Sequence, residues 1–213
     1  MKKILLTFLF LYSLQSSAQG RYCTSFNDYL EDNWIEVPTL TINRHSKSAP
    51  KPNEAIDYSF TSNDETTDTH LDEKAVFVQC NDSLFINLRE FSMGLERFTN
   101  HYALAYPLTN NKIVFISPKP KEYKSVHYLV VGPIPIPLKF KSTSKPANCY
   151  LIDDISLGGY SPVKLIGDES ITKVLKGHDD LIDEYFAEKK KKIRETPSHI
   201  MPLLRKEIGR AHV

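Results

Sequence analysis

The chain has 213 residues, 41% of them hydrophobic and 25% charged, which is the balance of a globular domain and excludes a disordered polymer. Its formal charge is +1. Residues 1–18 carry two lysines and no acid, so without them 25 basic face 26 acidic residues, and no positive field exists to attract nucleic acid.

The first residues, MKKILLTFLFLYSLQSSAQ, place Lys2 and Lys3 before an apolar run from Ile4 to Leu14 and then Ser16-Ser17-Ala18. That order predicts a signal peptide over 1–18, cut between Ala18 and Gln19. The run is too short to stay in a bilayer as a spanning helix, and no later segment is long enough. The expectation is an exported chain, periplasmic, envelope-associated or secreted, with no transmembrane segment after cleavage. Cys23 follows Gly20-Arg21-Tyr22, where a lipoprotein signal requires small and aliphatic residues. Cys23, Cys80 and Cys149 are too far apart for a zinc ribbon or a CxxC motif. An odd count leaves at least one thiol unpaired in a monomer, and each reads as a small buried apolar residue.

Ser25–Glu31 (SFNDYLE) predicts a short helix, with Ser25 as cap and Asp28 in the first turn. Residues 39–43 (TLTIN) and 57–61 (DYSFT) predict strands, separated by a polar, proline-containing loop over 44–54. The acidic stretch 62–74 has room for one short helix. Three hairpin units follow. KAVFVQC and SLFINL flank Asn81-Asp82, a pair that tolerates the positive φ of a tight turn. HYALAYPL and KIVFIS flank a second turn, with Tyr102, Leu104, Tyr106 and Leu108 on one face and Ala103 and Ala105 on the other. CYLID and PVKLI flank DISLGGYS. Between the second and third units, VHYLVV (126–131) predicts a strand. GPIPIPLKF (132–140) lacks the N–H groups of a central strand and predicts a stiff connector or an edge strand.

After Gly167 the period changes to helical. DESITKVLKG starts with acids and stops at Gly177. HDDLIDEYFAEKKKKIRE sets Leu181, Ile182, Tyr185 and Phe186 on one stripe and ends in Lys189–Lys192, a solvated helix end. TPSHIMPLLRKE predicts a last helix whose position Pro202 limits.

No GxSxG, HExxH, Walker loop or GxGxxG occurs. The histidines at 45, 70, 101, 127, 178, 199 and 212 show no ligand spacing. His178-Asp179-Asp180 falls at a helix start, where acids serve as caps, so neither a metal nor a cofactor is expected. Cys149 and His127 would make a nucleophile and base only if the fold joined them. The same condition holds for Asp153-Asp154 and Asp179-Asp180 as acid–base pairs, and Asp153 and Asp154, as neighbours on a strand, would also point to opposite faces. Asp82-Ser83-Leu84 matches an acid–hydroxyl–aliphatic pattern for O-glycosylation of exported proteins in some Gram-negative bacteria, which makes Ser83 a candidate acceptor beside the plainer reading of a hairpin turn.

The order of these pieces carries a resemblance. RYCTSFNDYLEDNW, DYSFT, KAVFVQCNDSLFINLREF, HYALAYPLTNNKIVFI, CYLIDDISLGGYSPVKLI and DLIDEYFAEKKKK are together similar to an uncharacterised family of exported proteins from Bacteroidetes-type bacteria. The resemblance implies location and architecture and carries over no catalytic residue. Where many members have a glycine-rich stretch, this chain has VVGPIPIPL. The last residues, EIGRAHV, resemble something else. GAG ATC GGA AGA GCA CAC GTC encodes them and, from its second base, reproduces a common sequencing adapter that continues with a stop codon. Residues 207–213 are therefore expected to be adapter-derived.

The expected fold is α+β: a mainly antiparallel β-hairpin sheet over roughly 37–166, with a short N-terminal helix and C-terminal helices over 168–206, in a single domain spanning 19–206. The expected function is that of a non-enzymatic envelope-associated or secreted protein that binds a protein or glycan partner. The alternative is a hydrolase acting on envelope or dietary polymer through carboxylates that spacing does not pair. Two carboxylates facing each other in a deep cleft would mark the enzyme, and an exposed aromatic or edge-strand surface the binder.

Overall fold

The computed structural model describes residues 17–45, 55–94, 96–98, 101–109, 111–122, 129–131, 134–136 and 146–211. Residues 1–16 of the expected signal peptide, most of the loop 44–54, His127, His212 and the ends of the proline-rich stretch lie outside them.

Strand β1 (Ser17–Cys23) leads into helix α1 (Phe26–Leu30), capped as expected, with Ser25 Oγ accepting the Asp28 N–H at 3.0 Å. Then come β2 (Ile35–Arg44), β3 (Tyr58–Ser62) and α2 (Glu65–Glu73), whose cap Asp64 accepts the Thr67 N–H at 2.7 Å. Strands β4 (Phe77–Cys80) and β5 (Ser83–Asn87) are the first hairpin, and Asn81 and Asp82 take φ of 49° and 58° in its turn. The two-residue strands β6 (Ser92–Met93) and β7 (Glu96–Arg97) precede the second hairpin, β8 (Tyr102–Pro107) and β9 (Ile113–Pro118). Strand β10 (Lys121–Glu122) pairs with β7, while β11 (Leu129–Val131) and β12 (Ile134–Ile136) form a separate ribbon. Among the described residues the proline-rich stretch thus contributes one strand of this separate ribbon, with Pro135 opposite Val130, and none of the main sheet. Strands β13 (Ala147–Ile152) and β14 (Val163–Leu165) complete the third hairpin.

Among the described residues the main sheet runs β14-β13-β9-β8-β3-β2-β1-β4-β5, and it closes on itself because β5 also pairs with β8. Strands β8, β3, β2, β1, β4 and β5 therefore form a six-stranded antiparallel ring. The β3–β8 join is a single register pair, Tyr58 with Tyr102. Strands β9, β13 and β14 continue from the far end of β8 as an open extension.

The sequence pattern predicts a sheet that begins near residue 37, yet β1 lies between β2 and β4 in the ring. The expected cleavage junction, Ala18–Gln19, lies inside β1, and the β1–β4 ladder begins just beyond it at Gly20. Gln19 is exposed and falls at a register shift, where Ala18 faces Leu40 but Gly20 faces Val37. Two β2 residues, Pro38 and Thr39, bulge opposite it, and Pro38 has no N–H to give the ladder. Only glycine fits at position 20: a Cβ there would lie 2.5 Å from Leu40 Cδ2 and 2.9 Å from the Gln79 carbonyl oxygen.

Alternation fills the ring. Tyr22, Leu40, Phe60, Val78, Phe85 and Tyr102 point inward, and α2 adds Leu71 at one end. Phe60 meets Phe85 and Tyr102 edge-on, each with centroids 5.0 Å apart, a geometry that aromatic quadrupoles favour. The Tyr102 hydroxyl donates to the Leu71 carbonyl at 2.5 Å and ties the helix to the ring. The outer wall, through Cys23, Phe77, Ile86 and Ala103, shares a second core with Phe115 and Tyr150 of the extension. The other face of the extension, Val114, Cys149 and Leu151, is covered by helices α3 (Asp168–Val174), α4 (Asp179–Ala187) and α6 (Pro197–Ala211), with the short α5 (Lys191–Arg194) linking the last two.

The helical region departs from expectation twice. Residues 178–195 do not form one helix, because Glu188 is extended and Lys190 begins a new turn. That break lets Arg194 fold back, donating from Nε and Nη2 to Asp168 at 3.0 and 2.7 Å and from Nη1 to the Glu188 carbonyl at 3.0 Å. Lys189–Lys192 are exposed, as expected, but Lys189 and Lys190 lie in the break. Helix α6 also runs through Pro202, which withholds one N–H; its buried residues Ile200, Met201, Leu203 and Leu204 hold it against the sheet. The helix continues over 207–211, and Glu207 Oε2 is buried without a partner among the described residues.

Candidate functional site

Pairing register builds a row across the outer wall of the ring. Arg21 on β1 lies opposite Gln79 on β4, Gln79 opposite Leu84 on β5, and Leu84 opposite Ala105 on β8. Their neighbours Tyr22, Val78, Phe85 and Leu104 occupy the inward face, so these four point out. The row floors a groove of about 780 Å³, within the size range of ligand sites.

One wall is the turn after α1. Asp32 takes φ of 57° there and accepts the Trp34 Nε1–H at 2.7 Å. The Arg21 guanidinium lies 4.6 Å from the Trp34 ring centroid, and its Nε donates to Gln79 Oε1 at 2.7 Å. Its Nη1 is 3.7 Å from Asp32. Tyr29 stacks on Phe77 with centroids 4.3 Å apart, which fixes this wall to the ring, and burial raises the Tyr29 hydroxyl pKa. At the other end the Arg205 guanidinium sits 5.7 Å from the Tyr106 ring centroid, with Nη2 3.5 Å from the hydroxyl. The groove thus offers aromatic surface and fixed donors, with Asp32 already committed to Trp34 and Arg21.

Most residues singled out in the sequence lie elsewhere. The Cys149 thiol is buried among apolar side chains and pushed up to about 12, which removes it as a nucleophile at neutral pH. Burial likewise pushes the Cys23 thiol up to about 12 and raises that of Cys80; all three are buried and unpaired. Asp153 is bound by Lys112 at 2.5 Å and Lys164 at 2.7 Å, and those hydrogen bonds hold its carboxyl down at about 2. Asp154 caps a 3-10 turn, accepting the Ser156 N–H at 2.9 Å, so the two acids do separate jobs. Asp179 and Asp180 lie in the first turn of α4. Among the described residues no three His, Cys, Asp or Glu side chains are placed to hold a metal, and no helix is long and apolar enough to cross a membrane.

Ser83 borders the groove, half-buried at the start of β5, with Asp82 beside it in the turn. Arg21, Trp34, Gln79, Tyr106 and Arg205 were not singled out from the sequence. No local pattern in GRYC marks Arg21. The others meet only through register and tertiary folding.

A family described as "Family of unknown function (DUF6563)" matches residues 21–208. The chain belongs to this family. The DUF6563 match contains every residue that lines the groove, from Arg21 to Ile208, whereas Ala18 and Gln19 precede it. No curated protein and no solved structure matches this DUF6563 chain.

Proposed function

We propose that this protein is an exported, non-enzymatic binding protein that holds a glycan in the groove on the outer wall of its ring. One observation carries the reading: Trp34, Tyr29 and Tyr106 line the same groove as Arg21, Gln79 and Arg205. Sugar rings have apolar C–H faces that pack on aromatic side chains and hydroxyls that pair with guanidinium and amide groups. The locking of Arg21, Trp34 and Asp32 to one another and to Gln79 presents that surface without further ordering on binding. The leader-like start, Lys2-Lys3 followed by an apolar run and Ser16-Ser17-Ala18, supports export.

The test is a glycan-array screen of the purified protein, followed by titration of any hit against Trp34→Ala and Arg205→Ala. The expected result is retention of a glycan class that Trp34→Ala weakens at least roughly tenfold, with a smaller loss for the exposed Arg205→Ala. Release of shorter sugars from a retained polymer would overturn the non-enzymatic reading. Enrichment of a protein from envelope extract without any glycan retention would replace the glycan with a protein partner.

A further inference from the structure

We propose that the groove is one half of a longer track, and that its ligand is an extended acidic glycan, a chain of uronate residues, not an isolated sugar. This rests on the groove reading above and adds length and charge to it. A second cavity of about 740 Å³ opens at the mouth of the ring. Its lining includes Ile42, Arg44, Tyr58, Phe85 and Leu104 together with the β4–β5 turn. Ser83 and Leu104 line both cavities. The mouth and the groove therefore share a rim where β5 and β8 pair, with Phe85 opposite Leu104. At its other end the ring is covered by α2, so a ligand entering the mouth has its continuation over the rim and not through the ring.

Charge selects the ligand. Arg44 lies opposite Tyr58, two residues beyond the inward-facing Ile42, and makes no ion pair with any described residue. Arg205 has Tyr106 as its partner and likewise no carboxylate among the described residues. Arg21 shares Asp32 at 3.7 Å. Three guanidiniums against Asp32 and Asp82 leave the combined lining cationic. Guanidinium recognises carboxylate by paired, charge-assisted hydrogen bonds, and a uronate chain presents one carboxylate per sugar. Ser83 is then a junction, and a modification on it would obstruct both cavities at once.

The experiment is calorimetric titration with short and long oligogalacturonates and with neutral gluco-oligosaccharides of the same lengths. The long acidic chain is expected to bind at least roughly tenfold more tightly than the short one, and Arg44→Gln to bring it down to the short chain's affinity. Arg44 is exposed, so this variant keeps the fold, and a thermal melt checks that it has. Trp34→Ala is expected to weaken both lengths. Equal affinity for short and long chains, or no effect of Arg44→Gln, overturns the track and leaves the groove reading in place. Equal binding of neutral chains overturns the acidic assignment. Retention of no glycan on the array, of any charge, overturns the groove reading itself.

Discussion

The ring and its open extension solve the two-faced sheet in different ways. In the ring, one face is buried against itself: Phe60, Phe85 and Tyr102 pack edge-on inside, and β5 returns to β8 while β3 meets β8 through the single pair Tyr58–Tyr102. The extension cannot close, so both its faces need other elements. Phe115 and Tyr150 share a core with the outer wall of the ring, while Val114, Cys149 and Leu151 rely on the C-terminal helices. The switch happens along one strand: Tyr102 and Leu104 of β8 look into the ring, whereas Tyr106 and Leu108, on the same face, lie under the helices. The difference shows why the groove lies where it does. A ring that fills its own interior leaves part of its outer wall free to carry Arg21 and Gln79.

The sharpest way to break the comparison is to empty the ring. Phe85→Ala is expected to cost about 3–5 kcal/mol, because the surrounding aromatic rings cannot collapse into the space. Denaturant unfolding measures it, and a cost under about 1 kcal/mol would mean that closure, not the aromatic interior, stabilises the ring. A smaller effect is expected where the helices are clamped. Arg194→Met removes three hydrogen bonds and leaves Asp168, which also accepts from the Tyr185 hydroxyl, without its guanidinium. The expected loss is about 1–3 kcal/mol, with amide exchange accelerated in α3–α6 and unchanged in the ring. Uniform acceleration would show that the two regions unfold as one unit.

The smallest effect is acidic. Asp153 joins Lys112 on the β8–β9 turn to Lys164 on β14, and its carboxyl is held at about 2 against an ordinary 3.8. The unfolded chain takes up this proton first, so the stabilisation is fully present above 3.8 and is lost as pH falls toward about 2. Asp153→Asn is expected to flatten stability between those limits, modestly, since about a third of the carboxylate side chain is exposed. An unchanged acid profile in the variant would place the acid sensitivity elsewhere, with Asp168 the next candidate because Arg194 also lowers its pKa.

Much of the architecture was legible as local pattern. Asn81-Asp82 between two β-rich runs specified a tight turn, Ser25 and Asp28 specified a capped helix, and alternation assigned Tyr102 and Ala103 to opposite faces. The strand at 17–23 was not legible, because it contains Gly20 and its first two residues belong to the leader-like segment. The break at Glu188 was hidden for another reason: the Arg194–Asp168 contact that accompanies it joins residues 26 apart in sequence. The groove was the least legible part. Its row of Arg21, Gln79, Leu84 and Ala105 draws one residue from each of four strands, and no spacing in a linear sequence records cross-strand register.

The sequence by itself determined the three hairpins and their turns, the capped first helix, the helical period after Gly167 and which faces are apolar, since these follow from period, turn chemistry and burial preference within a few residues. Only the tertiary structure decided that the sheet closes, that β8 serves three cores, and that Trp34 and Arg205 border one groove. Those are contacts between residues far apart in the chain, set by register and by the shared need to bury both faces of one sheet.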